Sequence, residues 1–303
     1  MTFQEFLKKY PDDNTVIKYF IGIRYPQGAK CPHCGSDKIS HRKDYPKLFQ
    51  CNTCNNSFSI FRNTIFEKTT TDLTKWFYGI HLFLNAKKGI SAMQLQREIG
   101  VTYKCAWRIL HQIRKAMAEE NPNGFYEAMI EIDETYIGGK PRKGNNKDDD
   151  DIPKNKRGRG SANKTPVIGI VSRDDKRVYA KVCMPNKKGK KLTGLQILMI
   201  FDKIVKSQKN IVITDEFRSY ERLANLTDII HFQIDHRFSY CDGDIHTNTI
   251  ESFWALVKRS VYGIYHRISV KYLQAYINEM TFRWNHREID SSFDILLKNA
   301  ILI

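Results

Sequence analysis

Three carboxylates, Asp133, Asp215 and Glu251, stand where folding alone has little use for acids. Asp133 lies inside the apolar run AMIEIDETYIGG, Asp215 ends the run NIVITDEF, and Glu251 opens the amphipathic stretch NTIESFWALVKRSVYG. Asp215 and Glu251 are 36 positions apart (251 − 215). Hard carboxylate oxygens brought together from separate elements are what Mg²⁺ (or Mn²⁺) needs, so the set reads as a two-metal phosphoryl-transfer site. Lys258 follows Glu251 by seven residues, two helical turns, and so shares its helix face. A cation there can hold a phosphate backbone beside the metals, with Arg259 one position round. Trp254 and Val257 fall near the same line.

Each acid also has a structural alternative. Strand alternation puts Glu131, Asp133 and Thr135 on one face and Glu134 on the other, so that face could be solvated, or Glu131 could be the ligand. Asp215 could begin a turn. Glu251 lies three residues after Asn248, the spacing of a capping box, and could serve only the helix end. His246 reads as a loop residue.

The acids need elements to position them. TPVIGIVSRD and RVYAKVCMP continue as strands after the Asp133 run, and LTGLQILMIFDKIV follows as a helix. Asn210 to Thr214 is a strand, a short helix spans Arg218 to Ala224, and another strand covers His231 to Asp235. Two closing helices start near Asn248 and Ser269, the second with basic residues Lys271, Arg283, His286 and Arg287 on its flank. Three strands, helix, strand, helix, strand, helix is the element order of a ribonuclease H-like α/β fold, a mixed sheet flanked by helices. The polar, charged segment 140–164 reads as a flexible loop between two strands of that domain.

Upstream, Cys31-Pro-His-Cys34 and Cys51-Asn-Thr-Cys54 form two CxxC pairs, a spacing that suits one tetrahedral Zn²⁺ held by two turns. Gly35 fits a knuckle that needs positive φ. His33 and His41 read as bystanders, since four sulfurs fill the shell. Lys30, Lys38, Arg42, Lys43 and Lys47 surround the pairs. Ser91 to Leu110 then reads as a helix-turn-helix, with an ordinary helical hairpin as the structural alternative. Ser91 with Gln94 suits a capping box, Gly100 ends the first helix, and Thr102 caps the second. Tyr103, Lys104, Trp107 and Arg108 would face a groove or phosphates, while Leu95, Ile99, Val101, Ala106 and Ile109 pack inward. Cys105 reads as a small core residue.

The chain has 303 residues, 41% of them hydrophobic, and a formal net charge of +16. Such a chain is globular and suited to a polyanionic partner. No apolar run reaches the roughly 18–20 residues of a membrane span. Its N-terminus, MTFQEFLKKYPDD, has no signal-like apolar core, so a cytoplasmic, nucleoid-associated location is expected. Seven cysteines in such a compartment point to metal or free thiols rather than disulfides.

The blocks CPHCGS, CNTCNNSFSIFRNTIF, IEIDETYIGG, VITDEFRSY, HTNTIESFWALVKRSVYGIYHRIS and YINEMTFRWNHR together resemble the ISXO-like insertion-sequence transposases of the DDE class, which carry an N-terminal zinc ribbon. The resemblance implies Asp133, Asp215 and Glu251 as the catalytic triad, Lys258 as the lysine that follows it, and catalytic Mg²⁺ with structural Zn²⁺. It implies binding of double-stranded DNA at the terminal inverted repeats, cleavage and strand transfer, and a homo-oligomer on DNA. Some members carry Asn or His at the third position; this chain keeps Glu. A DNA-binding regulator or domesticated transposase without catalysis is the alternative. The expected divisions are 1–66 (N-terminal helices and ribbon), 67–125 (helix-turn-helix-like region) and 126–303 (catalytic domain).

Overall fold

The structure is a computed structural model that describes residues 1–118, 124–125, 129–138, 164–185, 192–206, 210–224, 226, 229–234, 244–288 and 291–302. The segment expected as a flexible loop at 140–164 lies outside these residues except for Lys164, as does Asp235 at the end of an expected strand. The chain folds as two compact units, Met1–Ala118 with His286–Ile303, and Glu119–Asn285.

The first unit begins with α1 (Phe3–Lys9) and α2 (Asp13–Arg24). Thr2 and Glu5 form a reciprocal capping box at α1, and Asp12 caps α2 by accepting from the Thr15 amide at 2.8 Å. The antiparallel ribbon β1 (Ile39–His41), β2 (Leu48–Cys51) and β3 (Ser57–Ser59) follows. Then come α3 (Leu73–Asn85), α4 (Ala92–Ile99) and α5 (Tyr103–Ala116). α3 buries Trp76, Phe77, Ile80 and Phe83, and its rings meet Tyr10 and Phe66 in an aromatic core. Large rings suit this role because each removes much apolar surface from water.

A helix absent from the sequence reading closes this unit. Ser292–Leu302 forms the C-terminal helix, burying Phe293, Leu296, Leu297, Ala300 and Ile301 on one side. It packs against α2, α3 and α5, and the Arg24 guanidinium donates to the Ile301 carbonyl. The sequence reading put these residues with 126–303; in the fold their apolar stripe completes the core built by the N-terminal helices.

The second unit holds β4 (Met129–Ile137), β5 (Thr165–Ser172), β6 (Arg177–Val182), α6 (Gly194–Ile204) and β7 (Asn210–Asp215). A 3-10 turn (Arg218–Tyr220), α7 (Glu221–Ala224), β8 (Ile229–Ile234) and α8 (Asn248–Ser260) follow. A π-helical turn (Val261–Tyr265) and α9 (Val270–Asn285) complete it. The described strands pair in the order β6-β5-β4-β7-β8. β4, β5 and β6 are antiparallel neighbours, whereas β7 and β8 run parallel to β4 and to each other. This is the ribonuclease H-like arrangement expected from the element order. Side chains alternate across the sheet, so Ile130, Ile132, Ile168, Ile170 and Val212 pack under α6 and α7. Val167, Val171, Val178 and Ala180 face Ile250, Trp254 and Val257 of α8 and Leu273 and Ile277 of α9. Glu131, Asp133 and Thr135 lie on this second face by the same alternation. Among the described residues no helix is long and apolar enough to cross a membrane.

Candidate active site and metal centres

Strand register brings the first two acids together. β4 and β7 are parallel with Glu131 opposite Ile213 and Ile132 opposite Thr214. The next position sets Asp133 beside Asp215, on neighbouring strands roughly 4.8 Å apart and on the same face. Carboxylate oxygens of Asp133, Asp215 and Glu134 lie within 4.8 Å of one another. Asp215 is 6% exposed, and one of its carboxylate oxygens also accepts the Phe217 amide at 3.0 Å, so the turn role is satisfied without removing the acid from the cluster.

Glu134 joins from the opposite side of the strand, which alternation alone did not suggest. β7 ends at Asp215, so Glu134 stands past its neighbour's last residue and its longer side chain can reach the pair. The Tyr220 hydroxyl, fully buried, donates to Glu134 Oε2 at 2.7 Å.

Burial, followed by the charges of Glu134, Asp215 and Glu251, pushes the Asp133 carboxyl up to about 8. Metal-free, the cluster therefore keeps a proton at neutral pH. Buried hard oxygens this close together match what a divalent cation binds, because its charge can replace the proton. The donor set fits Mg²⁺ or Mn²⁺.

Glu251 is not part of that tight cluster. It stands exposed in the first turn of α8, where the Thr247 hydroxyl donates to its Oε1 at 3.1 Å. The N-cap is Thr247, so the capping-box alternative with Asn248 does not form. The charge of Glu251 nonetheless reaches Asp133. Lys258 and Arg259 are exposed two turns further on, whereas Trp254 and Val257 are buried against the sheet. Arg259 Nε donates to the Ala255 carbonyl at 3.0 Å.

Glu131 is wholly buried and engaged elsewhere. Its Oε1 accepts Arg173 Nε at 2.5 Å and its Oε2 accepts the Ile250 amide at 2.8 Å. Arg173 also donates to the carbonyls of Asp244 and His246 and to His246 Nδ1, each at 2.6 Å, which confirms the loop role of His246. Gly169, paired with Asp133 on β5, lies directly under α8. A Cβ there would stand 2.6 Å from the Trp254 ring and 2.7 Å from Ile250 Cδ1. The glycine is therefore what allows α8 to lie so close to the strand beside Asp133.

In the other unit, Cys31, Cys34, Cys51 and Cys54 all lie within 4.8 Å of one another, with Cys31–Cys54 and Cys34–Cys51 sulfurs 3.6 Å apart. Four thiolates bound at ~2.3 Å around a tetrahedral ion stand about 3.8 Å apart, so the set fits zinc. Two matching turns present the pairs. Gly35 and Asn55 donate back to the Cys31 and Cys51 carbonyls at φ +76° and +57°. The second turn thus uses Asn where the first uses Gly, a residue that also tolerates the left-handed region. Amides of Cys54 and Thr53 draw the Cys51 thiol down to about 6, toward the thiolate that a metal needs.

α4 and α5 pack together through Leu95, Ile99, Ala106 and Ile109, joined by Gly100 at φ +62° and capped by Thr102 on Cys105 N. Ser91 accepts from the Gln94 amide at 3.1 Å. Tyr103 and Lys104 at the start of α5 are exposed. Trp107 is half-buried beside the His111 ring, with centroids 4.0 Å apart. Arg108 turns inward, and its Nη2 donates to the Glu67 carbonyl at 2.7 Å. Cys105 is half-exposed, with its sulfur 3.2 Å from Thr71 Oγ1.

The ISXO2-like transposase domain matches residues 126–285, and the transposase zinc-ribbon domain matches residues 11–57. An uncharacterized protein in transposable element ISH50 of Halobacterium salinarum is 28% identical over 262 residues, 84% of each chain. An uncharacterized transposase-like protein of Haemophilus influenzae is 33% identical over 87 residues, 29% of this chain and 69% of its own. Among solved structures, the Mos1 transposase paired-end complex with left transposon end aligns over 74% of this chain and 78% of that one, at 10% identity and a TM-score of 0.28. That score is too low to carry an argument. The match to the transposase domain spans more than half of the sequence and includes Asp133, Glu134, Asp215 and Glu251, and on it the chain belongs to the ISXO2-like transposase family.

Proposed function

We propose that the protein is an active DDE-class transposase that binds the terminal inverted repeats of its insertion sequence and catalyses Mg²⁺-dependent cleavage and strand transfer. The observation that carries this reading is the meeting of Asp133, within β4, and Asp215, at the end of the adjacent parallel strand β7, in a cluster where burial and then neighbouring charges raise the Asp133 carboxyl to about 8. Asp133 and Asp215 would hold the metal, with Glu251 completing the set from α8. Bound there, divalent ions supply Lewis acidity to the phosphoryl oxygens and make water, and later a DNA 3′-hydroxyl, a competent nucleophile.

The remaining work falls to the chain's own side chains. Lys258 and Arg259, exposed on the helix that carries Glu251, are suited to hold the DNA backbone by its phosphates. Tyr103, Lys104 and Trp107 offer a surface at the N-terminal half of α5 for end recognition, while the anchored Arg108 fixes that helix to its support. A structural zinc on Cys31, Cys34, Cys51 and Cys54 would hold the small ribbon together. The enzyme would work as a homo-oligomer that brings two ends together.

The test uses a supercoiled plasmid carrying the inverted repeats of the element. Wild-type protein with Mg²⁺ should cut the ends and join them to target DNA, and Asp215→Asn should lose both reactions while still retarding end DNA in a gel. Joining at the wild-type rate by that variant would remove the metal assignment.

A further inference from the structure

Glu131 lies two residues before Asp133 on β4, and its carboxylate is buried with no exposure to solvent. A charge in that place needs partners, and it has two of different kinds. Arg173, just past the end of β5, pairs with Oε1 at 2.5 Å. The amide of Ile250, third residue of α8, donates to Oε2 at 2.8 Å. Helices begin with amides that have no partner within the helix, and here Thr247 at the N-cap gives none from its side chain. A strand carboxylate 119 positions away fills that role. It also sets a negative charge against the positive end of the helix dipole.

Arg173 extends the same link. Its two remaining nitrogens hold the Asp244 carbonyl and both the carbonyl and Nδ1 of His246, all at 2.6 Å. His246 Nδ1 lies 3.6 Å from Glu131 Oε1 as well. The backbone entering α8, the first turn of α8 and the strand bearing Asp133 are thus tied by one carboxylate and one guanidinium. Glu251 is the next residue after Ile250. Its distance from Asp133 is fixed by this tie rather than by a direct contact between the two acids.

Resting on the metal-dependent reading above, we propose that Glu131 and Arg173 are positioning residues, which fix Glu251 against Asp133 and so set the affinity of the site for its divalent ions. Neither residue touches the metal. Orienting partners of this kind change metal affinity by about 10–100-fold when altered.

The experiment measures Mn²⁺ binding to the full-length protein by electron paramagnetic resonance of the free ion. Thermal melting and end-DNA binding are followed alongside. Asp215→Asn is the control and should lose tight Mn²⁺ binding; if it binds like wild type, the metal reading itself fails. Glu131→Gln keeps the acceptor for the Ile250 amide but loses the charge facing Arg173. Arg173→Lys keeps the charge but loses the fan of donors to His246 and Asp244. Each should bind Mn²⁺ about 10–100-fold more weakly than wild type, with end-DNA binding unchanged. Folded variants with wild-type Mn²⁺ affinity, beside a control that has lost it, overturn the inference. Should both variants unfold, hydrogen exchange on the wild-type protein decides. The Ile250 amide should be protected without metal and further protected as Mg²⁺ engages Glu251. Free exchange there in both conditions would overturn the inference.

Discussion

Asp133 shows how burial changes what one side chain contributes to folding. Its carboxyl is raised from the ordinary 3.8 to about 8, first by burial and then by the neighbouring charges of Glu134, Asp215 and Glu251. In the unfolded chain it ionises near its ordinary value, so between about pH 4 and about pH 8 the metal-free native state binds more protons than the unfolded one. The contribution of this group to stability is therefore complete below pH 4 and is lost as pH rises through about 8. Metal-free protein should melt at lower temperature as pH is raised across that window. Asp133→Asn, which cannot ionise, should flatten this part of the profile and be the more stable protein at pH 8. Differential scanning calorimetry in chelator-treated buffer reads both effects. A wild-type profile parallel to that of Asp133→Asn from pH 4 to 8 would mean that the carboxyl is not raised. Saturating Mg²⁺ should flatten the wild-type slope, because the cation takes the place of the proton.

Among the elements, α8 is the piece whose placement matters most to the proposed reaction, since it carries Glu251 and Lys258 while the acid cluster is built on strands. Gly169 permits its close approach, with Trp254 and Ile250 lying where a Cβ would stand. Gly169→Val should push α8 away from β5 and reduce DNA cleavage by about 10²-fold, the scale expected when a reacting group moves by about 1 Å. The variant should still bind end DNA. Cleavage at the wild-type rate would show that the helix has slack. The strands and their acids were legible in the sequence because alternation is a local rule: the apolar runs marked one strand holding Asp133 and another ending on Asp215, whereas the parallel register that sets the two acids side by side appears only in the fold. The paired helices α4 and α5 were legible for the same reason, with Ser91, Gly100 and Thr102 marking their ends. Glu131, Arg173 and Gly169 were not legible as supports. Their partners lie far along the chain, Ile250 for Glu131 and Trp254 for Gly169, and no short-range pattern marks them. Glu134 was assigned to the opposite face because alternation cannot register that the neighbouring strand ends at Asp215. The C-terminal helix is a different case. Phe293, Leu296, Leu297, Ala300 and Ile301 recur at helical spacing, so this helix has a plain local signal.

At the scale of the whole molecule, the chain's two ends share one core. The C-terminal helix buries Leu296, Leu297 and Ala300 completely against α2, α3 and α5, all far earlier along the chain, whereas the sheet that bears the acids has its own two cores. Two units with separate cores should respond separately to damage. Loss of the zinc ligand in Cys51→Ser should remove the bound zinc found by elemental analysis and release the β1–β3 amides to exchange, with β4, β5 and β7 still protected. Leu297→Ala tests the division more sharply, because it lies near the end of the sequence and far from the ribbon. Emptying that fully buried position should cost about 2–5 kcal/mol. In exchange measured by mass spectrometry, α2, α3 and α5 should lose protection together with the C-terminal helix. The amides of β4, β5 and β7 should exchange as in the wild type, and Mn²⁺ binding at the acids should be unchanged. If the strands around Asp133 lost protection by as much as α3, the molecule would unfold as one cooperative body and the division into two separately responding units would fail.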